Sequence, residues 1–216
     1  IDSIFFQAYL SRAKCYEKLD EKLAIADYLK TFLLDSTNLL PLYSVASLYL
    51  KTDKALAEEM YMTILSLNIN EYKALSQLGI IAFTNDKFED AKHLFTQSLE
   101  MNTNAYVLND RASCYRKLDK LDLAINDYLA AIALNTDLPF IYSNLASIYA
   151  KQGETDKALS YYDLAILKDA NYALAYNNKA SVLFSEKEFE KAKIEIDRAL
   201  VADTKYAPAF NNRGVI

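Results

Sequence analysis

Glycine, proline and tryptophan are nearly missing from this chain: three, three and none in 216 residues. Tight hairpin turns depend on Gly, Asn-Gly or Asp-Gly at positive φ, so their scarcity excludes a hairpin-built barrel or sandwich and leaves helix as the main architecture. Histidine and cysteine are just as scarce. His93 stands beside Lys92, far in sequence from Cys15 and Cys114, and reads as an ordinary helix residue rather than a base or metal ligand. The two cysteines lie 99 residues apart, in equivalent slots of different repeats (below). They read as small hydrophobes, neither a nucleophile with its base nor a disulfide.

Gly79, Gly153 and Gly214 stand singly, so there is no phosphate-cradling loop and no cofactor is expected. No run of 18 apolar residues appears, which argues against a helical membrane span, and Ile1-Asp2-Ser3-Ile4 does not open like a signal peptide. Lys and Arg number 24 against 29 Asp and Glu, a formal charge of −5 without a basic stripe, so nucleic acid is not an expected partner. Compartment stays open, with the cytoplasm preferred and the periplasm retained as an alternative.

What is present is one unit repeated. The chain is 52% hydrophobic and 25% charged, enough to bury a large core. Ala followed four residues later by a large residue recurs as Ala24/Tyr28, Ala57/Tyr61, Ala91/Phe95, Ala124/Tyr128, Ala158/Tyr162 and Ala192/Ile196, at spacings of 33, 34, 33, 34 and 34 residues. Three residues further on stand Thr31, Ile64, Ser98, Ala131, Ala165 and Ala199. Upstream of each anchor lies a second pattern, as in Leu145-Ala146 with Tyr149 or Arg111-Ala112 with Tyr115. The apolar spacing is helical in both halves, so each unit is expected to be two antiparallel helices. Repeats are placed at 6–38, 39–71, 72–104, 105–138, 139–172 and 173–206, with a partial seventh at 207–216, as a single array over 1–216. The second repeat fits least well. Thr52-Asp53-Lys54-Ala55-Leu56 imitates Thr155-Asp156-Lys157-Ala158-Leu159 but would put Glu59 in the aromatic slot, so Ala57 is taken as the anchor.

These in-phase positions resemble the tetratricopeptide repeat family across essentially the whole chain. The resemblance implies an all-α solenoid of antiparallel helix pairs wound as a right-handed superhelix, with ligands on the concave face lined by first helices. Two departures stand out. Trp is missing from the first slot, filled by Tyr9, Leu42, Leu75, Leu108, Tyr142, Tyr176 and Phe210. The closing Pro is replaced by Ser36, Ile69, Thr103, Thr136, Ala170 and Thr204, so Asn, Asp and packing must set the helix ends. Pro41, Pro139 and Pro208 fall near the starts of first helices instead, where the missing N–H costs nothing. A longer period also shows: Arg12-Ala13 and Asp27-Tyr28-Leu29 return as Arg111-Ala112 and Asp127-Tyr128-Leu129, the mark of a duplicated three-repeat block.

On the concave face the residue before the Leu or Arg slot runs Ser11, Ser44, Gln77, Asp110, Asn144, Asn178, Asn212. Together with Asn109, Asn177 and Asn211, the residues Asp110, Asn144, Asn178 and Asn212 form the candidate peptide-binding set. An amide both donates and accepts, so such a row can hold the backbone of an extended peptide without reading its sequence. It is similar to the asparagine ladder in the repeat region of O-GlcNAc transferases. Ordinary repeats also carry Asn at this slot, so a purely structural row remains the alternative. Tyr43, Phe83, Tyr106, Phe140 and Phe184 are expected to lean toward the same side, as side-chain anchors or as core filling. The slot before the row carries no Lys to pair a carboxylate, which leaves a chaperone-type clamp unsupported. The expected function is therefore a non-catalytic scaffold for a protein or peptide. Two rivals stand beside it: the recruiting or regulatory part of a longer enzyme, since the array stops inside a first helix, and self-association through uncapped repeat ends near Ala199 and Leu200.

Overall fold

The computed structural model describes residues 3–215; Ile1, Asp2 and Ile216, the last of these in the partial seventh repeat, lie outside the described residues. Thirteen helices are present among the described residues: α1 (Ser3–Tyr16), α2 (Glu21–Leu34), α3 (Leu40–Thr52), α4 (Lys54–Leu67), α5 (Tyr72–Thr84), α6 (Phe88–Met101), α7 (Ala105–Lys117), α8 (Leu121–Leu134), α9 (Pro139–Lys151), α10 (Thr155–Lys168), α11 (Ala173–Ser185), α12 (Phe189–Ala202) and α13 (Ala207–Arg213). They fall into two compact units, 1–102 and 103–216. Within each, consecutive helices pack as antiparallel pairs and each pair packs on the next, the helix-pair solenoid architecture expected from the repeats.

From α3 to α12 the first helix of a pair is always 13 residues and the second always 14, so all variation in repeat length sits in the turns. Ala24, Ala57, Ala91, Ala124, Ala158 and Ala192 are fully enclosed, and the large residue four positions on is buried every time, from Tyr28 to Ile196. A small residue at the crossing lets the helices approach, and the large one fills the space beyond it. Gly79 marks the tightest approach: a Cβ there would lie 2.6 Å from Cε1 of the Phe95 ring.

The turn inside each pair takes two forms from the second repeat onward. In the third to sixth repeats one residue, Asp86, Asp119, Gly153 or Lys187, takes positive φ. The next N–H then reaches back to the carbonyl five residues earlier, as Lys87 does to Ala82 and Glu154 to Tyr149, which closes the first helix. In the second repeat Asp53 alone separates α3 from α4, ending one helix and accepting from the Ala55 and Leu56 N–H groups at the start of the other. That shortened turn displaces the imitation at Ala55: Ala57 and Tyr61 are buried while Ala55 and Glu59 are exposed.

Every second helix ends at an Asp or Asn: Asp35, Asn68, Asn102, Asn135, Asp169 and Asp203. At five of them, Asp35, Asn68, Asn135, Asp169 and Asp203, the side chain accepts the N–H two residues on, at 2.9–3.1 Å. This Asx turn does what the absent proline would do, stopping the helix and turning the chain. Pro41, Pro139 and Pro208 sit in the first two positions of α3, α9 and α13.

The recurrence of Arg12 and Asp27 as Arg111 and Asp127 has a physical content. Arg12 grips Asp27 with two hydrogen bonds of 2.6 and 2.9 Å, and Arg111 grips Asp127 with two of 2.7 and 2.8 Å. Each ties the first helix of a pair to the second across largely buried carboxylates. Lys179 and Glu195 hold the same relation in the sixth repeat at 3.1 Å.

Candidate functional site

The site is built in the unit spanning 103–216, where the first helices α7, α9, α11 and α13 lie side by side. Helical period places Asp110 and Ser113 on the face of α7 that carries Asn144 and Ser147 on α9, Asn178 and Ser181 on α11, and Asn212 on α13. Tyr162 from α10 forms a floor. With Ser147, Ala150, Asn178, Ser181 and Ser185 it lines a cleft of about 530 Å³ between α9 and α11. A second cleft of about 220 Å³, lined by Ser181, Phe184, Ile196, Asn212 and Val215, shares Ser181 with the first. The two meet at Ser181 on the first-helix face, and are called the groove below.

The predicted asparagines occupy two depths. Asn144, Asn178 and Asn212 are partly exposed along the groove, whereas Asn109 and Asn177 are buried beneath it and Asn211 is exposed beside it. The layers are joined: Asn144 donates its amide N–H to Asn109 Oδ1 at 2.9 Å, and Asn212 donates to Asn177 Oδ1 at 2.8 Å. Asn109 in turn donates to Asp110 at 3.0 Å and Asn177 to Asn178 at 3.3 Å. The track is thus two separate clusters, Asn144 with Asn109 and Asp110, and Asn212 with Asn177 and Asn178, and sequence spacing alone does not reveal which asparagine lies above which.

The hydroxyls are also held. Ser147 and Ser181 donate to the carbonyls of Asn144 and Asn177 on their own helices. Ser113 Oγ lies 3.0 Å from the Tyr128 hydroxyl beneath α7. Burial pushes Asp110 up to about 6, and the hydrogen bond from Asn109 only partly offsets it.

The expected aromatics divide by role. Phe83 meets Phe88, and Phe184 meets Phe189, edge to face at 5.3 and 5.2 Å, each pair closing one helix turn. Tyr43 donates to Glu71 at 2.9 Å and packs on Tyr61. Of the set, Tyr106 is the most exposed, at 57%, and lies beside Phe140 with ring centroids 6.1 Å apart. His93 is exposed on α6, Cys15 exposed on α1 and Cys114 buried on α7. No helix among the described residues is long and apolar enough to cross a membrane. A residue that the sequence reading missed is Arg116, at the end of α7 on the groove side; its signal was a charge in a register filled elsewhere by Phe83, Ala150 and Phe184.

Three profiles of the tetratricopeptide repeat match the sequence, at residues 113–153, 141–171 and 173–205. No curated protein matches at a significant level. Among solved structures, YrrB, described as a tetratricopeptide-repeat protein with an unusual peptide-binding site, is 20% identical with a TM-score of 0.65, over 87% of this chain and 97% of its own. Pseudomonas aeruginosa pilF is 15% identical with a TM-score of 0.77 over 99% of both chains. The Cut9–Hcn1 hetero-tetramer of the APC/C gives a TM-score of 0.78 at 17% identity, over 96% of this chain and 42% of that one. At these identities the structures speak for the fold, and the repeat profiles speak for the family. The chain is a tetratricopeptide-repeat protein, a helical scaffold for contact with other proteins.

Proposed function

We propose that the chain binds an extended peptide segment of another protein along the first-helix groove of residues 103–216, without catalysing a reaction. The observation that carries this reading is the line of partly exposed amides, Asn144, Asn178 and Asn212, over two clefts that share Ser181. Each of these amides offers a donor or an acceptor at intervals of one repeat, and an extended backbone presents both at regular intervals. Their orientation is fixed in advance for Asn144 and Asn212 by the buried Asn109 and Asn177, which lowers the entropy lost on binding. YrrB, similar in fold, is described as having a peptide-binding site of its own.

The test uses fluorescein-labelled, end-blocked nonapeptide pools randomised over Ala, Leu, Ser and Thr, titrated with wild type and with the Asn144→Ala, Asn178→Ala, Asn212→Ala triple variant. Loss of three backbone contacts should weaken binding at least about tenfold. A matched melting curve shows whether the variant remains folded. Equal affinity for both proteins, or no binding by wild type, overturns the reading.

A further inference from the structure

One arginine on α7 has no carboxylate partner among the described residues. The other four arginines each hold a carboxylate: Arg12 at 2.6 Å, Arg111 at 2.7 Å, Arg198 at 2.9 Å and Arg213 at 3.4 Å. Arg116 holds none among the described residues, although its side chain is partly buried and its Nε is enclosed without a hydrogen-bond partner. A guanidinium stays charged in any protein environment, so enclosing part of it without a counter-charge is costly and is tolerated only where something offsets it.

Its position says what that something is. Arg116 lies three residues beyond Ser113 on the groove face of α7, in the register that Ala150 occupies on α9, and Ala150 lines the larger cleft. Burial pushes the Tyr128 and Tyr162 hydroxyls up, to about 12 for Tyr162, and in both cases the nearby Arg116 charge opposes it, helped at Tyr128 by a hydrogen bond from the guanidinium. The one acid on α7, Asp110, accepts from Asn109 and makes no ion pair with Arg116. The guanidinium thus sits in the register of the groove lining beside two phenols, and no carboxylate among the described residues answers its charge.

We propose that Arg116 is the specificity anchor of the groove, pairing with an Asp or Glu side chain of the bound segment while the asparagine row holds its backbone. The inference rests on the groove reading and names the chemistry it selects. A planar guanidinium takes a carboxylate in two parallel hydrogen bonds, and Tyr128 and Tyr162 beneath it exclude part of the water that would screen the pair.

The same nonapeptide pools test it, with Glu, Gln or Lys fixed at the central position. Wild type should prefer the Glu pool over the Gln pool by about tenfold and over the Lys pool by more. Arg116→Gln should erase the preference, so that the Glu and Gln pools bind it alike, and Arg116→Glu should prefer the Lys pool. The triple asparagine variant should bind every pool more weakly yet keep the ratio. Equal binding of the three pools by wild type overturns the anchor and leaves the groove reading standing. Absence of binding to all three removes both. If Arg116→Gln fails to fold, the ranking of the three pools by wild type still decides the matter.

Discussion

Replacing Gly79 by Ala is a sharp test of the packing argument, because two principles give opposite signs. On helix propensity alone, Ala in the middle of α5 is better than Gly by about 1 kcal/mol. The structure points the other way: an added Cβ would lie 2.6, 2.8 and 3.0 Å from Cε1, Cδ1 and Cζ of Phe95. That ring is 1% exposed and has nowhere to swing. Overpacking of this kind costs about 1–3 kcal/mol, and three carbons inside contact distance place it at the upper end. The net expectation is a loss of about 2 kcal/mol, or roughly 4–8 °C in melting temperature for a chain of this length. A double-mutant cycle isolates the cause. In a Phe95→Leu background the obstructing ring is gone, so Gly79→Ala should be neutral or stabilising, giving a coupling of about 2–3 kcal/mol. Urea unfolding of the four proteins, followed by far-UV circular dichroism, measures it. A Gly79→Ala protein as stable as wild type, or more so, would refute the reasoning.

The other expectations follow from the same geometry. Asp86, Asp119 and Lys187 hold positive φ without being glycine, so each change to Gly should gain about 0.5–1 kcal/mol, read as a higher melting temperature, whereas Gly153→Ala should lose a similar amount. Asp110 has its pKa raised in the folded state to about 6 from 3.8. The folded protein therefore binds more protons than the unfolded chain between those values, and stability falls as pH rises from about 4 to about 6. Asp110→Asn should flatten that segment and gain on the order of 2 kcal/mol at pH 7, measured as thermal stability against pH. Asp27 runs the opposite way: hydrogen bonds from Arg12 hold it below the usual carboxylate range, so its contribution is complete above about pH 4 and disappears on acidification. Ala158→Leu, at a crossing with no exposed surface, should cost about 1–3 kcal/mol in the same melts.

The repeat was legible because packing has to recur. A small residue at the crossing and a large one four positions later cannot drift in phase without opening a void, so Ala24 to Ala192 and their partners show in the sequence what the core shows in space. The missing closing prolines pointed correctly to Asn and Asp, since Asx turns need one side chain and a local N–H. Other features depended on partners beyond a single helix. Arg111 and Asp127 were visible as a duplicated pair, but their ion pair spans a turn and joins two helices, which periodicity does not disclose. In the site, the row of Asn144, Asn178 and Asn212 was readable, while the burial of Asn109 and Asn177 depends on how neighbouring first helices pack. Arg116 falls outside the polar row, as a charge in a slot that Phe83, Ala150 and Phe184 fill in other repeats.

The amide pairs set a rule for cutting the array. Asn109 is joined to Asn144 and Asn177 to Asn212, so the polar track advances two repeats at a time although the fold advances one. A fragment ending before α13 strips the donor from the buried Asn177 oxygen and costs about 1–3 kcal/mol beyond the lost packing. A fragment ending between α10 and α11 breaks neither pair. Shortened versions made for binding studies should therefore keep first helices in even numbers, counted from α7.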